Sequence, residues 1–196
     1  RIANFLTQQL VQHIIYWRYA MIEKETTVSS DLVYTGKTIS LRVDTVEVPN
    51  KGYQKREIVE HNGVVVIIGI TEDNKIILIK QYRKSIEDTV LELPGGKLEL
   101  NENPRECAIR EFRQKTGYDA ENFKLIHKFY PTVGISNQMM FIYLAKKLEK
   151  CEDKKEDYQI EIQEIDFDEV YKMVLNNEIV DGKTSLGVLL CKDIIN

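Results

Sequence analysis

Apolar and polar residues alternate along most of the chain after residue 31, a pattern typical of β-strands. Two denser apolar runs, GVVVIIGI at 63–70 and KIILIKQYR at 75–83, flank a turn-forming Glu-Asp-Asn and predict a buried hairpin. Three alternating segments before this hairpin predict a small antiparallel sheet. Alternation after it predicts strands at 89–93, 123–130, 139–145 and 159–165, and helical spacing predicts helices at 167–176 and 183–195.

The strongest helix signal lies between Asn103 and Gly117. Asn103 is a favourable N-cap, Pro104 suits the first helical position, and Gly117 is a common left-handed stop. These residues predict a helix over 104–116, preceded by a turn at Pro94-Gly95-Gly96. Its apolar face would contain Cys107, Ala108, Ile109 and Phe112, and a second face would carry Glu111, Gln114 and Lys115 at i, i+3 and i+4.

Residues 1–20 place apolar side chains at helical spacing and predict an amphipathic helix. The polar face of this helix is mainly Gln, Asn and Thr, so packing on its own domain or on a second subunit is favoured over a membrane surface. We therefore predict a helical extension at 1–30, the small antiparallel sheet at 31–62 as a dimerisation part, and the main domain at 63–196.

Composition excludes several classes of function. The 196 residues carry 27 basic and 31 acidic side chains and no polybasic run, so nucleic acid is not expected as a partner. No stretch is apolar for long enough to span a bilayer. The three histidines lack metal-ligand spacing, and three widely spaced cysteines fit reduced thiols, which favours a cytoplasmic location.

Residues 96–118 resemble the Nudix box. Gly96, Glu102, Arg110, Glu111 and Gly117 keep the spacing of Gly-x5-Glu-x7-Arg-Glu-U-x-Glu-Glu-x-Gly-U, where U is apolar or aromatic. The predicted strand, glycine loop and helix are the context that this motif requires. The resemblance extends over about 32–190 to the ADP-ribose pyrophosphatase branch of the Nudix hydrolases, through REIVEHNGVVVI, IILIKQYR, LELPGGKLE, FYPTVG and IVDGKTSLGVLL.

The resemblance implies an α/β fold, the Nudix α/β/α sandwich with a mixed sheet, and a homodimer in which the small N-terminal sheet is exchanged. It also implies hydrolysis of a nucleoside diphosphate such as ADP-ribose with Mg²⁺ or Mn²⁺, because hard cations neutralise the diphosphate and activate water. Glu111 would be the catalytic and metal-binding carboxylate. The implied ligand contacts are Arg56, Arg83, Gly95, Gly96 and Gly134, with Arg56 reaching across the dimer.

The sequence departs from the family at the metal-binding positions. Two consecutive family glutamates fall on Gln114 and Lys115, and the glutamate that ends a later loop falls on Gln138. Replacing two carboxylates by an amide and an ammonium shifts the charge of this helix face by about three units, so binding of Mg²⁺ or Mn²⁺ should be weak or lost. Because an ammonium can pair with a diphosphate directly, Lys115 becomes a predicted ligand contact.

Three functions stay open on these residues. The first is a catalytically impaired homologue, a pseudoenzyme, that still binds ADP-ribose or a related nucleoside diphosphate. The second is an active pyrophosphatase that uses Glu111 with Glu156 or Asp157 in a rearranged metal site. The third is a non-enzymatic interaction scaffold with the N-terminal helix as its handle. A relic site that binds nothing would leave Glu111 and Lys115 as an ordinary helical ion pair.

Overall fold

The computed structural model describes residues 23–152 and 159–195. The helix predicted at 1–20, together with Glu156 and Asp157, lies outside these ranges. The described residues divide into a smaller unit of 23–35 and 41–58 and a larger unit of 36–40, 59–152 and 159–195. The domain boundaries predicted after residues 30 and 62 stay a prediction.

The smaller unit is built on the predicted small antiparallel sheet. Strands β1 (Thr26–Thr35), β2 (Ser40–Val48) and β3 (Gly52–Glu60) pair in the order β1-β2-β3. A tight turn joins β2 to β3, and in it the Lys51 N–H donates to the Val48 carbonyl oxygen at 3.0 Å. Asn50 and Gly52 take positive φ values of 60° and 73° there, which matches the turn signal of Pro-Asn-Lys-Gly.

The described part of the larger unit contains a seven-stranded mixed sheet. The main strand order is β10-β5-β4-β9-β8, with β6 paired to β5 and β7 paired to β4. Strands β4 and β9 run parallel, whereas the β4–β5 and β8–β9 pairs are antiparallel. The strands are β4 (Val64–Ile70), β5 (Lys75–Arg83), β6 (Asp88–Glu92), β7 (Gly95–Lys97), β8 (Tyr118–Phe129), β9 (Met140–Lys150) and β10 (Ile160–Asp166), and the helices are α1 (Pro104–Thr116), α2 (Phe167–Leu175) and α3 (Gly182–Ile195).

Alternate residues of β4 point to opposite layers of helices. Val66 and Ile68 pack in one core with Phe167 of α2 and Val188 of α3. Val65 and Ile67 pack in the other core with Phe112 of α1. A strand with apolar residues on both faces needs a helix layer on each side, and the predicted α/β/α sandwich is therefore confirmed.

Helix α1 begins and ends where its capping residues predict. The Asn103 side chain accepts a hydrogen bond from the Arg105 N–H at 2.9 Å, and Gly117 has φ 71° with its N–H donating to the Arg113 carbonyl. Phe112 holds the helix against the sheet, because its ring lies where a Cβ on Gly69 would come within 2.5 Å of it. None of the helices in the described ranges is both long and apolar enough to cross a membrane.

The turn predicted at Pro94-Gly95-Gly96 is partly wrong, because Gly95–Lys97 forms the short strand β7 on β4. Glycine usually weakens a strand, so the sequence favoured a turn at this point. The register places Gly95 opposite Val66, where an added Cβ would lie 2.2 Å from the Val65 carbonyl oxygen. The missing side chains therefore permit a backbone approach that other residues would block.

Candidate functional site

Glu111 lies directly against the glycine strand. A Cβ added to Gly96 would sit 2.0 Å from the Glu111 Cδ and 2.1 Å from its Oε2, so the carboxylate occupies the space that a side chain would need. The Glu111 side chain is 14% exposed and faces a cavity. Because Gly96 has no side chain, the Glu111 carboxylate of α1 can contact the sheet.

Arg110 and Glu102 hold this carboxylate from the loop side. The Arg110 guanidinium donates from Nε and Nη2 to the two oxygens of Glu102, both at 2.9 Å, and from Nη1 to Glu111 Oε1 at 2.6 Å. The bonds from Arg110 lower the pKa of Glu102 to about 2. Glu102 therefore supports the loop and the guanidinium, and it does not line the cavity.

Lys115 puts an ammonium group into the cavity beside Glu111. Its Nζ donates to the Gly95 carbonyl oxygen and lies 3.9 Å from Glu111 Oε2. The side chain is 21% exposed. Burial lowers the pKa of Lys115, and the Arg83 charge lowers it further, whereas Glu111 raises it. The Lys115 ammonium thus lies beside a backbone oxygen and a carboxylate oxygen, two kinds of atom that are typical ligands of a hard cation.

A second cationic group is organised around Glu92, which is 1% exposed. Arg83 Nε donates to Glu92 Oε1 at 2.7 Å, and Arg83 Nη2 forms an ion pair with the same oxygen at 2.6 Å. Lys183 Nζ donates to Glu92 Oε2 at 2.5 Å. Lys183 also donates to Asp181 Oδ1 at 2.6 Å. Thr184 at the start of α3 joins this group to Leu93, two residues before β7, because it donates to Asp181 and accepts from the Leu93 N–H at 2.8 Å.

These residues surround one cavity of about 650 Å³. Its volume is in the range of small-molecule sites. Four cationic side chains and two carboxylates line it, so the lining carries a positive excess. The lining comprises Thr38, Val64, Arg83, Leu93, Gly95, Gly96, Lys97, Glu111, Lys115, Phe129, Pro131, Met140, Asp181, Gly182 and Lys183.

The described residues do not fit Mg²⁺ or Mn²⁺ at this place. Glu111 is the one carboxylate that α1 directs at the cavity, and both of its oxygens already face cations. Asp181 accepts from Lys183 and Thr184. Within residues 23–152 and 159–195, no group of three His, Cys, Asp or Glu side chains is placed to hold a metal ion. Mg²⁺ and Mn²⁺ need several oxygen ligands, and a neighbouring ammonium group repels such a cation.

The structure brings together most of the predicted site residues. Arg83, Gly95, Gly96, Glu111 and Lys115 all line the cavity.

Two other predicted contacts lie elsewhere. Gly134 is in an exposed loop, has no neighbour within 4 Å of an added Cβ, and does not line this cavity. Arg56 belongs to the smaller unit, where it pairs with Glu25 at 2.5 Å. The roles predicted for these two residues stay predictions.

Glu92, Asp181 and Lys183 were missed in the sequence. They stand in the segments LELPGG and IVDGKT, which carried the resemblance to the family without a role for these side chains. One signal was available: Glu92 interrupts an apolar strand, and a buried carboxylate requires cationic partners. The identity of those partners, residues 83 and 183, depends on the fold.

Comparison with known proteins agrees with this geometry. Residues 60–184 match the family model of the NUDIX domain, and the chain belongs to the Nudix family. The ADP-ribose pyrophosphatase of Bacillus subtilis (strain 168) is 38% identical over 168 residues, which cover 84% of this chain and 91% of that protein. The methanol dehydrogenase activator of Bacillus methanolicus is also 38% identical, over the same shares.

More distant comparisons extend the family assignment. The ADP-ribose pyrophosphatase of Mycobacterium tuberculosis (strain ATCC 25618 / H37Rv) is 32% identical over 167 residues, which cover 83% of this chain and 81% of that protein. A solved structure described as an ADP compounds hydrolase has a TM-score of 0.78 at 17% identity and covers 89% of this chain and 95% of its own. The likeness to that structure concerns the fold. The predicted resemblance and fold class are confirmed.

Proposed function

We propose that this chain is a Nudix protein that binds ADP-ribose or a related nucleoside diphosphate and is impaired in the metal-dependent hydrolysis of its family. The observation that carries the proposal is the position of Lys115, whose ammonium contacts the Gly95 carbonyl and neighbours Glu111. A fixed cation at this place repels divalent metals and attracts phosphate.

The relatives support the class of ligand. Two of them are described as ADP-ribose pyrophosphatases, at 38% and 32% identity. The cavity is lined by three cationic groups that could pair with a diphosphate, Lys115 on α1 together with Arg83 and Lys183. Gly96 keeps the backbone close to Glu111, and both Gly95 and Gly96 line the cavity.

Calorimetric titration of the full chain with ADP-ribose in EDTA tests the proposal. We expect binding without metal, and we expect Lys115→Met to weaken it about 10-fold or more, because a charge-assisted hydrogen bond is worth about 1.5–3 kcal/mol. Lys124→Met is the matched control, since Lys124 is exposed on β8 and away from the cavity lining. An absence of heat at millimolar ADP-ribose contradicts the proposal.

Residual hydrolysis is the second candidate function. It is favoured by the retention of Glu111 with its complete support from Arg110 and Glu102. In that case release of AMP from ADP-ribose would rise with Mg²⁺ or Mn²⁺ and disappear in Glu111→Gln. Glu156 or Asp157 would have to supply further ligands, and these residues lie outside the described ranges. Turnover that persists unchanged in Glu111→Gln argues against this candidate.

A homodimer and a cytoplasmic location belong to the same proposal. All ten residues of β1 are exposed, and Leu32, Val33 and Tyr34 are each more than half exposed, so this strand offers an apolar surface to a second copy. One chain has a mass of 22.9 kDa, and light scattering of the full chain should give twice that mass. A chain shortened to begin at Met21 tests whether the N-terminal segment serves as an interaction handle.

A further inference from the structure

Hydrogen-bond capacity around Glu92 is distributed unevenly. The acceptors already have partners within the protein. Glu92 Oε1 accepts from Arg83 Nε and forms an ion pair with Arg83 Nη2, Glu92 Oε2 accepts from Lys183, and both oxygens of Asp181 accept hydrogen bonds. The donors are not exhausted. An ammonium has three N–H groups and a guanidinium has five. Lys183 therefore keeps one N–H, and Arg83 keeps at least three, beyond those that these contacts use.

Both cationic side chains line the same cavity. Lys183 is 15% exposed and Arg83 is 40% exposed, and both line it, whereas Glu92 lies behind them at 1% exposure. One buried carboxylate thus holds two cations that line the cavity and that keep N–H groups beyond those it uses. Donors that are already held in place lose little conformational entropy when a ligand binds. Two adjacent cations also form charge-assisted hydrogen bonds, which favour a multiply charged anion.

We propose that Lys183 and Arg83 together bind one phosphoryl group of the ligand, and that Glu92 is the positioning residue that holds both cations. This inference rests on the proposed function and specifies the part of the ligand that is recognised, the diphosphate, with Lys115 lining the same cavity. Inorganic pyrophosphate is then a sufficient ligand for these groups, without a base, a sugar or a metal ion.

The test is calorimetric titration of the full chain in EDTA with pyrophosphate and, separately, with ADP-ribose. We expect Lys183→Gln to weaken both about 10- to 100-fold, the usual effect of losing a hydrogen bond to a charged group. Lys183→Arg should restore most of the affinity. Lys192→Gln is the matched control, because Lys192 is on the same helix and pairs with Asp168 at 2.6 Å, away from the cavity lining.

Glu92→Gln separates positioning from simple structural support, because Arg83 and Lys183 remain in the variant. A purely structural role lowers the melting temperature and leaves the affinity for pyrophosphate unchanged at temperatures where the variant is folded. A positioning role weakens that affinity as well. If Glu92→Gln does not fold, the Lys183 variants decide the inference by themselves.

The outcomes distinguish this inference from the proposed function. Binding of ADP-ribose by the natural chain, with equal affinities for Lys183→Gln and Lys192→Gln, overturns the role of Lys183 in phosphoryl binding and leaves the proposed function intact. Failure of the natural chain to bind either ligand overturns both. Loss of pyrophosphate binding in Lys183→Gln, with a melting temperature like that of the control, supports phosphoryl binding by Lys183 and Arg83.

Discussion

Restoring the two missing carboxylates of α1 should make the stability of the protein depend on a divalent metal. The change is Gln114→Glu with Lys115→Glu. In the natural chain the Lys115 ammonium donates to the Gly95 carbonyl and lies 3.9 Å from Glu111 Oε2. In the variant the new carboxylate at position 115 shares this space with Glu111. Like charges 4–8 Å apart repel by about 2–4 kcal/mol at an effective dielectric constant of 20. Without metal the variant is therefore less stable than the natural chain.

Mg²⁺ should reverse that loss in the variant alone. Three carboxylates and the Gly95 carbonyl then offer the oxygen ligands that Mg²⁺ prefers. Metal at 100 times its dissociation constant stabilises the folded state by about 2.7 kcal/mol. For a chain of this size that corresponds to a rise of about 5–11 °C in melting temperature. Calorimetric melts in Mg²⁺ and in EDTA measure the effect, and AMP release from ADP-ribose shows whether hydrolysis returns.

Two comparisons make this measurement decisive. The natural chain should melt at nearly the same temperature in Mg²⁺ and in EDTA. Lys124→Glu reverses one charge at an exposed position of β8 and should show no specific metal response. Equal responses to Mg²⁺ in the double variant and in the natural chain would refute the view that Lys115 occupies the place of a metal ion.

Three further changes test how the site is held. Gly96→Ala should displace the Glu111 carboxylate, 2.0 Å from the new Cβ, and cost about 1–3 kcal/mol of unfolding free energy in urea melts. Glu102→Gln should cost about 1–2 kcal/mol at pH 7 after solvent screening. Since the folded pKa of Glu102 is about 2 and its ordinary value is 4.5, that contribution is present above pH 4.5 and disappears as the pH falls toward 2. Phe112→Ala should cost about 3–5 kcal/mol in the same melts, because the ring is fully buried.

Each of these changes has a control. Gly182→Ala places a Cβ where no atom lies within 4 Å, so its stability should be nearly unchanged, and a loss equal to that of Gly96→Ala would discredit the steric argument. For Glu102→Gln, the difference from the natural chain should shrink between pH 7 and pH 3. A difference that is constant with pH would mean that the carboxylate charge is not the cause. Leu175→Ala, at 58% exposure on α2, is the control for Phe112→Ala and should cost far less.

Local sequence determined the elements and the scaffold of the site. The helix signals at Asn103 and Gly117 act within one turn of the chain, and α1 has the predicted bounds, Pro104–Thr116. The apolar runs at 63–70 and 75–83 predicted a buried hairpin, and β4 and β5 pair as antiparallel neighbours. The spacing of glycine, arginine and glutamate in the box predicted the family and placed Glu111 and Lys115 on one helix face. These features depend on neighbours within a few residues.

Tertiary structure alone decided which charges share the cavity. Glu92 binds Lys183, 91 residues away along the chain, because the end of β6 and the start of α3 meet in the fold. Periodicity does not encode such a contact, since each partner is an ordinary polar residue in its own segment. Likewise Gly95 and Gly96 suggested a turn, and only the approach of β4 made them a strand. The sequence showed that α1 lacks two of the family carboxylates. The fold showed that the Lys115 ammonium lies beside the Gly95 carbonyl and Glu111.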